Sequence, residues 1–175
     1  MSRLSSLSSS AIRAMFSSET DETLIMLLTI YNPADNSVAV RLADNFTGRL
    51  TNITTDTEVY YGVTSRSHDY VFLPMQINLP SETETGGDSC SLTLNYVTRE
   101  AVELIRTQLN KPTKILLELV LSNSPNTVEA AFPSFYITSA TYSAEQIRLD
   151  LNMISYNREP FPSYNFTPSY FPGLF

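Results

Sequence analysis

A mainly β domain, an antiparallel sandwich or barrel with a flanking helix, is the fold class that three features of the sequence predict. Short segments in which apolar and polar residues alternate recur about eight times along the chain, the period of half-buried strands. The aromatic content is 10 Tyr and 9 Phe with no Trp, and Val, Ile and Thr are abundant, a composition that favours strands. A length of 175 residues suits one domain with a sizeable core and is too short for two full ones.

The elements follow in order. Around residues 8–16, Ala11, Ala14 and Met15 with Ile12 and Phe16 fit a short N-terminal helix that needs tertiary contacts, because the Ser run before it has poor helix propensity. Leu24 to Ile30 is almost continuously apolar, which predicts a strand covered on both faces near the middle of the core. Asn32 to Asn36 has turn chemistry, and Val38, Val40 and Leu42 then alternate as a half-buried strand antiparallel to the first. Residues 44–69 are polar and threonine-rich, with Leu50, Ile53, Val59, Tyr60 and Tyr61 as anchors of two short strands. From Tyr70 to Leu79 a single strand is expected, with Val71, Leu73, Met75, Ile77 and Leu79 on one face. Pro74 places that strand at an edge or bulge.

Residues 80–88 form an acidic loop, and Cys90, Leu92, Leu94 and Tyr96 mark the next strand. Thr98 to Leu109 is the clearest helix: Thr98 can cap it, Ala101, Val102, Ile105 and Leu109 share a face, and Asn110 with Pro112 stops it. Three strands follow. The first carries Ile115, Leu117, Leu119 and Leu121 inward, and a turn spans Ser122 to Asn126. The second runs through Val128, Phe135 and Ile137, and the third holds Ile147, Leu149, Leu151 and Met153. The domain thus spans residues 1–156, and 157–175 is a separate arm. Pro160, Pro162, Pro168 and Pro172 forbid helix and central strand there, while Phe161, Tyr164, Phe166, Tyr170, Phe171, Leu174 and Phe175 carry too much apolar area for a solvated tail. The arm must dock. Phe161, Tyr164, Phe166, Tyr170, Phe171 and Phe175 are the expected interface residues, in contact with a neighbouring subunit or with the arm's own domain.

Composition excludes several function classes. A net charge of −7 with two lysines argues against binding nucleic acid through its phosphates. One cysteine and one histidine cannot build a disulfide or a usual transition-metal site, so no metal or organic cofactor is expected. No run reaches the roughly 20 apolar residues of a membrane span, and no membrane partner is expected. The acid-free start, with Arg3 and Arg13 among serines, also has the composition of an organellar transit peptide, although low acid content over so short a stretch is common. Phosphate loops, nucleophile elbows and zinc-protease motifs are absent from the sequence, and no enzymatic activity is expected. Glu118, Glu129 and Asp150 are the strand carboxylates that folding could still bring together. His68 and Asp69, as neighbours on a strand, point to opposite faces and cannot form a dyad. Glu82, Glu84 and Asp88 match no calcium loop. Cys90 has the parity of a core residue. Asn45, Asn52 and Asn165 begin short glycosylation-like triplets that recur by chance.

Taken in order, Leu24–Ile30, Tyr70–Pro80, Leu92–Val97, Leu117–Leu121, the Thr127-Val128-Glu129 hairpin and the closing Phe171-Pro172-Gly173-Leu174-Phe175 resemble, over nearly the whole length, a family of tailed-bacteriophage proteins known as domain of unknown function 1833. The resemblance implies a structural virion protein, a minor tail protein at the tail tip or baseplate hub. It implies a homo-oligomeric ring, a trimer with a hexamer as alternative, whose partners are distal tail, tube and hub proteins and whose lumen passes DNA. Synthesis in the bacterial cytoplasm and incorporation into the tail of the virion follow from it. The iron–sulfur domain of lambda-like tip proteins is not implied, since only Cys90 is present. A rival from another class is a glycan- or receptor-binding module that exposes Tyr60, Tyr61 and Tyr70 for stacking on sugars.

Overall fold

The structure is a computed structural model that describes residues 7–32, 34–51, 59–78, 89–95, 113–132, 134–143 and 146–153. Among these residues a helix, α1 (Ser9–Phe16), precedes β1 (Leu24–Tyr31), β2 (Val38–Ala43), β3 (Gly48–Arg49), β4 (Tyr61–Ser65), β5 (His68–Phe72), β6 (Met75–Asn78), β7 (Ser89–Asn95), β8 (Lys114–Leu121), β9 (Ser124–Ala131), β10 (Phe135–Tyr142) and β11 (Gln146–Met153). The mainly β class is the expected one. The helix predicted at 98–109, the acidic loop at 80–88 and the arm at 157–175, with Phe161, Tyr164, Phe166, Tyr170, Phe171 and Phe175, lie outside the described residues.

The strands form one hydrogen-bonded path in the order β3-β4-β5-β2-β1-β8-β10-β11-β7-β6, with β9 paired to β8 beside it. All these pairings are antiparallel except β2 with β5. At the centre, β1 and β8 run together from Leu24↔Leu121 to Ile30↔Ile115 and act as a shared wall. Ile25 to Ile30 are all buried, as a strand covered on both faces requires. Successive side chains point to opposite faces. Met26, Leu28 and Ile30 therefore enter a large core with Cys90, Leu92 and Leu94 of β7, Ile115 and Leu117 of β8, Phe135 of β10, and Ile147, Leu149 and Leu151 of β11. Ile25 and Leu27 enter a smaller core with Ala43, Val63, Tyr70 and Val120.

The sheet curls around each face of this wall. On the large-core side the path passes through β10, β11 and β7 to β6, and the chain links β6 back to β2: Leu73 N–H donates to Ala43 O at 2.9 Å, and Asn95 N–H to Pro74 O at 2.9 Å. On the other side the β4–β5 hairpin reaches β9. Its turn residues Arg66 and Ser67 both have positive φ, 51° and 64°, the arrangement that two-residue hairpins need to match strand twist. Ser65 Oγ donates to Pro125 O at 2.6 Å and Arg66 N–H to Asn126 Oδ1 at 2.6 Å, so this turn is tied to β9. Gly62 is required beneath it, because a Cβ would lie 2.0 Å from Tyr70 O.

Two expected strands divide. The stretch Tyr70–Leu79 breaks at Leu73–Pro74: β5 lies beside β2, while β6 lies at the far end of the path beside β7. A proline without an N–H marks the crossover between them rather than a bulge within one strand. Inward parity changes as well, since Tyr70 is buried in the small core and Val71 only half-buried. The strand expected through Val128, Phe135 and Ile137 is likewise two, because β9 pairs with the second half of β8 and β10 with its first residues, Lys114 and Ile115. The preceding turn contracts to Ser122 and Asn123, with Leu121 opposite Ser124. The Asn32–Asn36 turn and the strand Val38–Ala43 antiparallel to β1 are as expected. The short helix does rest on a tertiary contact: Ser8 Oγ accepts from Ala11 N–H at 3.1 Å, while the Ser8 N–H and hydroxyl each donate to the Glu129 carboxylate at 2.8 Å.

Candidate functional site

Two surface features could carry function, an aromatic corner and a charged cavity. The corner grows from the end of β2. Asp44 accepts the Met26 N–H at 2.8 Å and donates its own N–H to Met26 O at 3.2 Å, which turns the chain away from β1. Burial raises the Asp44 carboxyl above its ordinary value, against the opposing hydrogen bonds from backbone N–H groups. Asn45 Oδ1 accepts the Phe46 N–H at 2.8 Å, and Thr47 N–H and Leu50 N–H then donate to Gly62 O and Tyr60 O. Phe46 is thereby set against Tyr61, with ring centroids 5.4 Å apart, and against Phe72 edge-on at 5.2 Å. Such tilted and edge contacts are favourable for aromatic quadrupoles. Phe46 is nevertheless 48% exposed, Tyr61 46%, Tyr60 45% and Val59 52%.

The cavity, of about 320 Å³, lies on the small-core side and is lined by Thr29, Tyr31, Val38, Arg41, Arg66, His68, Tyr70, Leu116 and Glu118. The Arg66 fork meets the buried Glu118 carboxylate through two bonds, Nη1 to Oε1 at 3.0 Å and Nη2 to Oε2 at 2.5 Å. That bonding raises the guanidinium further above its ordinary value, with burial acting the other way. Thr29 Oγ1 and Tyr70 Oη are 3.5 Å apart on the cavity wall. The Arg66–Glu118 pairing fixes the β4–β5 hairpin on the wall.

The strand carboxylates do not converge on one another. Glu118 holds Arg66, Glu129 is buried and holds Ser8, and Asp150 accepts from Ser139 Oγ at 2.5 Å with Arg148 Nε 3.6 Å away. His68 and Asp69 part as expected: His68 lines the cavity, while Asp69 accepts from Thr64 Oγ1 at 2.8 Å. Among the described residues no three His, Cys, Asp or Glu are grouped so as to hold a metal ion. Glu82, Glu84 and Asp88 lie outside those residues. Cys90 is a buried core residue whose thiol is pushed up to about 11 by burial.

Of the three tyrosines that would stack on a sugar, Tyr60 and Tyr61 are exposed, whereas Tyr70 is 3% exposed and belongs to the small core. Its strand turns that face inward, so Tyr70 cannot contribute to such a surface. Phe46 and Arg66 are the residues that sequence reasoning passed over. Phe46 stands alone in a polar stretch, and a large apolar side chain in a turn is a signal in itself; Arg66 carries no local signal, since its partner lies 52 residues away.

The fold is similar to that of a solved chain from the virion of a native gene transfer agent particle, with a TM-score of 0.56 at 14% sequence identity, over 92% of this chain and 50% of that one. The chain therefore spans about half the length of the structure it matches, and at this identity the likeness is one of fold. No protein-family model and no curated protein matches the chain.

Proposed function

We propose that the protein is a structural, non-enzymatic virion component of a tailed bacteriophage, a minor tail protein at the tail tip or baseplate hub that joins the tail tube or distal tail ring to the tip. The observation that carries this reading is the fold likeness to a virion chain over 92% of the length. The segment order that resembles the tailed-phage family of unknown function 1833 supports it and supplies the finer placement. The mechanism is mechanical. A sheet braced on both faces of a central wall is a stiff building block, and the aromatic arm, through Phe161, Tyr164, Phe166, Tyr170, Phe171 and Phe175, latches a neighbouring subunit in a ring of three, or alternatively six. A net charge of −7 suits a ring whose lumen passes DNA without adhering to phosphate.

Negative-stain imaging of purified particles with gold-labelled antibody against this chain tests the placement. Label at the tail tip is expected. Label on the head, or none on particles, would overturn it.

A further inference from the structure

We propose that the cavity between the β4–β5 hairpin and the β1–β8 wall is a binding site for a carboxylate group, held mainly by Arg41. The inference stands apart from the placement in a tail, since it rests on the small-core side of the wall alone.

Three strands build the floor. Arg41 on β2 and Leu116 on β8 both lie opposite Thr29 on β1, so the three side chains stand abreast on one face. Glu118, two residues along β8, shares that face, and Arg66 descends on it from the hairpin turn and takes up both its oxygens. Among the described residues of the lining Glu118 is the one acid, against Arg41, Arg66 and His68. Lys114 adds a cation close by, with its Nζ 5.2 Å from the centre of the Tyr31 ring. A chain of net charge −7 thus gathers positive charge at this cavity.

The Arg66–Glu118 pair is neutral as a unit, which leaves Arg41 uncompensated. Its side chain is half-buried and, among the described residues, has no hydrogen-bond or ion-pair partner. A guanidinium presents a planar fork of donors that matches the two oxygens of a carboxylate. Beside it, the Thr29 and Tyr70 hydroxyls hold two protons, of which their mutual contact at 3.5 Å uses one and leaves the other to donate.

The remaining walls select among anions. Val38, Leu116 and the Tyr31 ring offer apolar surface to a short hydrocarbon stem, which an organic carboxylate carries and inorganic phosphate lacks. One uncompensated guanidinium also balances one negative charge rather than two. A carboxylate of this kind reaches the cavity either as a small free acid or on an Asp or Glu side chain of another protein, and the contacts it makes are the same.

The test titrates the full chain, labelled with nitrogen-15 in its arginines, and follows the Nε–Hε resonances. The probes are glutarate and, separately, the acetylated and amidated peptide Ala-Ala-Glu-Ala-Ala. The resonance that Arg41→Gln removes should shift and saturate at one site per chain. Tighter binding of glutarate assigns the site to a free acid, and tighter binding of the peptide assigns it to a protein side chain. Arg41→Gln should lower the affinity about tenfold with an unchanged circular dichroism spectrum, and Arg41→Lys should restore part of it. Thr29→Val, which keeps the shape of a buried side chain, should lower it about threefold. Three results would overturn the site: no saturable shift of the Arg41 resonance at tens of millimolar of either probe, uncharged glutaramide or inorganic phosphate bound as tightly as glutarate, or undiminished binding by Arg41→Gln.

Discussion

The two faces of the β1–β8 wall are closed in different ways. On one, Met26, Leu28, Ile30, Ile115 and Leu117 meet the apolar side chains of β7, β10 and β11, and backbone hydrogen bonds from Leu73 to Ala43 and from Asn95 to Pro74 complete the layer. On the other, the buried apolar residues Ile25, Leu27, Ala43, Val63, Tyr70 and Val120 are joined by polar pins, namely Arg66 on Glu118 and Ser65 on Pro125 O. Packing tolerates small displacements, but a bidentate ion pair fixes one geometry. The large core therefore supplies most of the stability, and the small-core side sets where the β4–β5 hairpin sits, together with the aromatic corner at its base.

The largest effect is expected where the large core is opened. Leu149 is fully buried, and Leu149→Ala should cost about 2–5 kcal/mol through lost transfer energy and a residual cavity. Denaturant titration at an unchanged m-value measures it. Val63→Ala, in the small core, should cost less because fewer atoms are removed; an equal cost would erase the contrast drawn here. Cys90 reports the same closure. With its thiol pushed up to about 11, only about one in a thousand molecules is a thiolate at pH 8. Alkylation should be slow in the native protein and rapid in denaturant, and fast native alkylation would mean that the large core opens.

Next in size is an asymmetry within the ion pair. The Glu118 side chain is 10% exposed and that of Arg66 40%. Arg66→Ala strands a buried carboxylate and should cost about 3 kcal/mol. Glu118→Ala frees a guanidinium that can swing into water, and about 1 kcal/mol is expected. Equal costs in urea unfolding would show that the pair acts as a surface bridge. Neither change should abolish the fold, because the large core is untouched.

The large core was far more legible in the sequence than the site. Both-face burial demands apolar residues at consecutive positions, and Leu24–Ile30 displays that demand directly. Alternation also placed Cys90, Leu92, Leu94, Leu149 and Leu151 correctly, since parity is all that inward orientation needs. Parity does not reveal where a strand lies in a sheet. Tyr70–Leu79 kept an unbroken alternation across Pro74 while the chain moved from β2 to the far edge, and Tyr70 changed from a candidate surface ring to a core residue. The strands β9 and β10 were merged for the same reason. The aromatic corner joins residues from three loop and strand segments, and Arg66 meets Glu118 across 52 positions; no local pattern encodes such meetings.

The smallest effect concerns the charge at the base of the corner, and it refines what a polar pin contributes. Asp44 is half-buried, and burial raises its carboxyl above the ordinary 3.8 despite the N–H groups it accepts. A carboxyl that is harder to ionise in the folded state than in the unfolded one opposes folding wherever it is charged. Stability from this group therefore rises as pH falls through the raised folded value, and the gain is complete only below 3.8. Asp44→Asn keeps the Oδ1 acceptor for Met26 N–H and removes the charge. At pH 7 the variant should be slightly more stable, the effect being small because solvent screens a half-exposed group. The advantage should shrink towards pH 4. A variant that is less stable at pH 7, measured by urea titration at both pH values, would mean that the carboxylate charge itself strengthens the bond to Met26, and that this pin, like the one at Glu118, works as an ion rather than as a neutral acceptor.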